Sequence, residues 1–80
     1  MAVQTRFKQL NNETWEMPSF TVGVIVCMSD SQGIVKLINT NGEEFFLVPG
    51  MTLGFSFMAK SREPITIDAT NGIAQVAWEN

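Results

Sequence analysis

The sequence predicts an all-β domain, a small antiparallel sandwich or barrel of six to seven strands, and three observations carry that prediction. Apolar and polar residues alternate over residues 20–28, 51–59 and 65–78, the period of a strand. Turn pairs, Asn41-Gly42, Pro49-Gly50 and Asn71-Gly72, punctuate the alternating runs. No stretch of useful length repeats its apolar residues at helical spacing.

Residues 1–18 stand apart as an N-terminal arm or edge strand, ahead of a β-sandwich or barrel domain over residues 19–80. The arm is polar, with Phe7, Leu10, Trp15 and Met17 irregularly spaced before Pro18. It has room for one short strand near residues 3–8, or serves as a loose arm with hydrophobic anchors. From residue 20, Phe20, Val22, Val24, Val26 and Met28 share one strand face, and Thr21, Gly23, Ile25 and Cys27 the other. A strand apolar on both sides belongs inside an assembly. Ser29-Asp30-Ser31-Gln32-Gly33 supplies the following turn.

Asn-Gly is a strong hairpin signal, because both central residues of a type I′ turn need positive φ. A two-residue turn at Asn41-Gly42 pairs Ile38 with Phe45, Leu37 with Phe46 and Val35 with Val48. After Pro49-Gly50, Met51, Leu53, Phe55 and Phe57 point one way, while Thr52, Gly54 and Ser56 point the other. Residues 60–64 form a charged connection. A second hairpin at Asn71-Gly72 pairs Ala69 with Ala74, Ile67 with Val76 and Ile65 with Trp78, all on one face. Thr66, Asp68, Thr70 and Gln75 collect on the other.

With 80 residues the chain has one core and a thin stability margin. Small scaffolds usually add a disulfide, a metal or a partner chain. Cys27 is the single cysteine and histidine is absent, so no internal disulfide forms and no cysteine–histidine zinc set exists. Cys27, within an apolar run, reads as a core residue of a reducing compartment. The net charge of −3 opposes nucleic-acid partners, because binding a phosphate backbone needs clustered Lys and Arg. The five basic residues, Arg6, Lys8, Lys36, Lys60 and Arg62, are scattered, and the local pair Lys60 with Arg62 has Glu63 beside it. The opening residues lack an apolar signal segment, and the run 22–28 is too short to cross a bilayer. A cytoplasmic product starting at Met1, without a membrane partner, is therefore expected.

Catalysis has few candidates. Histidine and tyrosine are missing, which removes the commonest general acid–base groups. Adjacent Glu43 and Glu44 point to opposite faces of a strand, and Asp68 lies on a polar face with Thr66 and Thr70. The oxygen-rich stretches 29–31 and 39–44 do not follow the spacing of a calcium loop. No enzyme activity, no cofactor and no metal are expected. Gly33-Ile34-Val35-Lys36-Leu37-Ile38-Asn39 followed by Phe45-Phe46 resembles the opening hairpin of a cold-shock or OB-type barrel. Leu37 stands where such proteins carry an aromatic, and the acidic flanks lack the basic groove they use.

Excess apolar surface is the remaining signal. The strands over residues 20–48 carry large side chains on both faces, and one small sandwich has one interior. The surplus is expected to meet protein. Phe7, Leu10, Trp15 and Met17 on the arm, with Phe45 and Phe46 on the central ribbon, are the candidate interface residues.

Pro49-Gly50-Met51-Thr52-Leu53, Pro64-Ile65-Thr66-Ile67-Asp68-Ala69, Asn71-Gly72 and Ala74-Gln75-Val76-Ala77-Trp78 form the strand-and-turn texture of the C-terminal half. That half resembles the small β-sandwich structural and accessory proteins of bacteriophage virions. The resemblance implies head decoration, a spike or penton base, or a head–tail or tail component. It also implies a virion location after synthesis in the host cytoplasm, with the chain itself and other virion proteins as partners. A homo-oligomer with cyclic symmetry is expected. An adaptor or small inhibitor that binds a host protein is the other contact-based reading.

Overall fold

The computed structural model describes residues 4–56 and 63–80. Within them the chain is all-β, with six strands and no helix, in one curled antiparallel sheet that forms a half-barrel. The strands are β1 (Thr5–Met17), β2 (Val22–Cys27), β3 (Val35–Ile38), β4 (Glu44–Leu47), β5 (Thr52–Ser56) and β6 (Ile65–Glu79). The expected strand segment at residues 57–59 and the charged stretch 60–62 lie outside the described residues.

β6 is the axis of the fold. One edge pairs with β1 along nearly its whole length, from Thr5↔Glu79 to Met17↔Ile65. The other edge is divided: residues 66–68 pair with β3, and residues 74–79 with β2. β4 and β5 extend these two branches outward, giving the order β4-β3-β6-β2-β5.

The predicted hairpin at Asn71-Gly72 is therefore not formed; both residues lie inside β6. Neither has the positive φ a type I′ turn requires. The apolar sets on either side still reach one core, by bending rather than folding back. Ile67 and Ala69 face inward at odd numbers, Ala74, Val76 and Trp78 at even ones. The change of parity occurs where Asn12 of β1 opposes residues 70–72. Asn12 takes φ 54°, the left-handed region that Asn tolerates better than most residues. This break also explains the arm. Leu10 lies before it and Trp15 and Met17 after it, and all three turn toward the core. A long strand thus replaces the short strand or loose arm expected there. Asn12→Val is expected to cost about 1–2 kcal/mol, from forcing a β-branched residue into that conformation. Asn12→Gly should stay within about 0.5 kcal/mol of the parent in urea unfolding.

The bend is locked from the β2–β3 loop. Met28 N donates to Ile73 O at 2.9 Å, and Ile73 N donates to Ser31 Oγ at 3.0 Å. Ser31 Oγ donates in turn to Gly33 O at 2.7 Å. The backbones meet so closely that a Cβ on Gly72 would sit 2.5 Å from Ser31 Oγ.

The core is filled by Leu10, Met17, Phe20, Ile25, Val35, Leu47 and Ile67, all fully buried, with buried Cys27 among them. In β2 the inward face is Gly23, Ile25 and Cys27, while Val22 and Val24 are exposed. Phe20 departs from its predicted face because β2 starts at Val22, after a bend at Thr21. Its ring packs edge-on against Phe55, 5.6 Å between centroids.

Candidate interaction surface

The β3–β4 ribbon begins with its turn. Gly42 N donates to Asn39 O, and Asn39 N donates to Glu43 O, both at 3.1 Å. Asn39 Oδ1 accepts from Asn41 N at 3.0 Å and Glu43 N at 2.8 Å. Of the two central residues only Gly42 has positive φ, at 82°. The loop is thus the three-residue kind, with glycine in the left-handed position, not the two-residue type I′ turn. The extra loop residue moves the register by one. Val35 pairs with Leu47, Lys36 with Phe46, Leu37 with Phe45 and Ile38 with Glu44.

That register sorts the two phenylalanines. Phe45 shares a face with buried Leu37 and Leu47 and lines a groove of about 420 Å³ with Leu53, Phe55 and Ile65. Phe46 lies on the opposite face, across from Lys36. Phe45 is 49% exposed, Phe46 50% and Val48 48%. Pro49-Gly50 ends the ribbon, with Gly50 N donating to Cys27 O at 2.8 Å and Cys27 N to Met51 O at 2.9 Å. The turn residues thus tie β4 back to β2, and among the described residues no strand pairs with the other edge of β4.

The remaining predicted interface residues separate. Leu10 and Met17 are fully buried in the chain's own core, so neither is available to a neighbour. The irregular break at Asn12 turns them inward, which corrects their expected role as anchors on another subunit. Trp15 is half-buried, with its ring centroid 5.1 Å from that of Trp78 and Lys8 Nζ 5.4 Å above it. Phe7 is 78% exposed on the outer face, in a cross-strand row with Ala77 and Val24. A shallow groove of about 480 Å³ runs beside it, bordered also by Lys8, Gln9, Val26 and Gln75. Phe7 is opposite Ala77 while Leu37 is opposite Ile67, ten residues along β6, so Phe7 and the ribbon are separate patches. Sequence reasoning missed Ile34, Val48 and Met51, which are also exposed near the ribbon. Their signal was position: each flanks a turn or short edge strand.

Charge around the ribbon is negative at its turn. Glu43 is held by Asn39 Nδ2 at 2.8 Å, and Glu63 accepts from Thr40 Oγ1 at 2.7 Å. Behind it, Asp68 accepts hydrogen bonds from the Thr70 hydroxyl, from Thr70 N at 3.0 Å and from Thr14 Oγ1 at 3.4 Å. The Thr70 hydroxyl chiefly, then its amide, hold the Asp68 carboxyl below its ordinary value against the opposing effect of burial, with Lys36 and Thr14 each adding less than burial takes away. A folded pKa below the unfolded one stabilises the fold above the unfolded pKa, and that stabilisation fades as pH falls through the folded pKa. Asp68→Asn should therefore cost a solvent-screened amount, under about 1 kcal/mol, at neutral pH. The difference from the parent should vanish in acid, as followed by urea unfolding across pH.

These neighbours give the exposed apolar ribbon an acidic rim. Comparison with protein-family models, with curated proteins and with solved structures finds no match for the chain.

Proposed function

We propose that this chain is a non-enzymatic structural protein that works through symmetric contacts with copies of itself, as a component of a bacteriophage particle. The observation that carries the contact reading is the pair Phe45 and Phe46, one on each face of a short edge ribbon and both half-exposed. Fully burying a phenylalanine is worth about 1.5–3 kcal/mol, so a surface that leaves two of them wet gains by being covered. Val48 and Met51 extend the same exposed area. The acidic rim of Glu43, Glu44 and Glu63 and the net charge of −3 favour protein over polyanion as the covering material. The particle assignment, as head decoration, spike or penton base, or head–tail or tail component, follows from the resemblance of the C-terminal half to small virion proteins. Proteomics of particles released by cells carrying the gene tests it. The chain is expected at a fixed ratio to the other particle proteins, and its confinement to the soluble lysate would overturn the assignment.

A further inference from the structure

We infer that a second copy of this chain docks antiparallel on the open edge of β4, with the two Phe45 side chains meeting across a two-fold axis. This rests on the self-association proposed above and specifies its site.

The hydrogen-bond pattern of the ribbon defines the edge. Asn39 and Glu43 form a bonded pair at the turn. Antiparallel ladders alternate bonded and non-bonded pairs, so Phe45 and Leu47 bond to Leu37 and Val35. The N–H and C=O groups of Glu44 and Phe46 consequently point away from β3. Among the described residues β4 is the terminal strand on its branch of the sheet. A row of outward backbone donors and acceptors is complementary to another extended strand.

The same spacing selects a copy of β4 as that strand. With Glu44 set opposite Phe46 of the copy, and Phe46 opposite its Glu44, both outward residues form bonded pairs. Four backbone hydrogen bonds result. Phe45 then falls at the centre as the non-bonded pair, the geometry in which opposing side chains stand closest, about 4.5–5.5 Å between Cβ atoms. The other registers that preserve two-fold symmetry leave an outward residue of this short strand unmatched or draw in Val48.

Charge agrees with the register. On the outer face Lys36 lies beside Phe46, and Asp68 lies behind Lys36. Glu44 of the copy would arrive on the far side of Phe46, two strand spacings from Lys36, about 9.6 Å between backbones. Long side chains can converge over the ring from that separation. Among the described residues Glu44 has no hydrogen-bond or ion-pair partner within its own chain. The row across the joined sheet then reads Asp68, Lys36, Phe46, Glu44 of the copy.

Three variants of the full chain test the inference. Phe46→Pro deletes one outward N–H and places a ring in the approach path, while the bonds between β3 and β4 use other residues. It should keep the parent far-UV circular dichroism and sediment as a monomer where the parent is multimeric. Phe45→Cys should form a disulfide-linked dimer under mild oxidation. The parent, whose Cys27 is buried, and Phe7→Cys on the other patch should not. If Phe46→Pro fails to fold, the cysteine variants decide. A parent that is monomeric at every concentration removes the self-association reading and this site with it. A multimeric parent whose folded Phe46→Pro variant stays multimeric, or whose Phe45→Cys variant does not link, overturns the β4 site alone. So does linkage through Phe7→Cys instead.

Discussion

Gly72→Ala is expected to destabilise the domain by about 2–6 kcal/mol, from overpacking of about 1–3 kcal/mol together with a buried amide left unpaired at about 1–3 kcal/mol. The added carbon would lie 2.5 Å from Ser31 Oγ and 3.0 Å from Gly33 O. Ser31 cannot simply swing away, because its hydroxyl holds Gly33 O and is the acceptor for Ile73 N. Displacing it unlocks the loop from the bend of β6. Urea unfolding of the single variants and of Ser31→Ala/Gly72→Ala measures the coupling. The pair should cost clearly less than the sum of the singles, because both act on one contact. A Gly72→Ala midpoint equal to the parent's would show that β6 does not bend against this loop.

Phe20→Ala should be comparably damaging, at about 3–5 kcal/mol. Phe20 heads the fully buried side chains by volume, wedged between Met17, Gly23 and Phe55. A domain of this length has about 4–12 kcal/mol of total stability, so the truncated protein should melt near or below room temperature in the weaker half of that range. Phe20→Leu keeps most of the volume and should cost under about 1.5 kcal/mol. Equal losses for the two variants would point to ring stacking on Phe55, not volume, as the source of the effect.

The two Asn-Gly pairs show how far turn chemistry reaches. At Asn41-Gly42 the flanking strands are short and have no better use, so the pair makes a hairpin, displaced by one residue because only Gly42 enters the left-handed region. At Asn71-Gly72 a competing partner wins. β1 is long enough to pair with both flanks at once, and the loop at Ser31 takes up the backbone groups at the bend. A local turn signal carries no information about either. Yet the clue was present in the arm, where Leu10 and Trp15 are five residues apart. They share a face only if an irregular residue intervenes, and Asn12 is a residue type suited to that conformation. Ala69 and Ala74 repeat the five-residue spacing on the facing strand.

The candidate surface was legible in the same partial way. Phe45 and Phe46 are adjacent in a strand, so they had to face opposite sides, and the two-sided exposure follows. Leu10 and Met17 were misassigned because their burial depends on a strand whose polar composition hid it. The outward turn of Val22 and Val24 followed from the bend at Thr21, which alternation alone does not reveal.

Sedimentation equilibrium over a wide range of protein concentration puts the account at greatest risk. Association through the ribbon requires the fitted mass to climb from the 8.9 kDa of one chain toward a whole-number multiple as concentration rises, with Phe46→Pro held at the single-chain value. A parent protein that stays at 8.9 kDa throughout would mean that its exposed phenylalanines need no second copy.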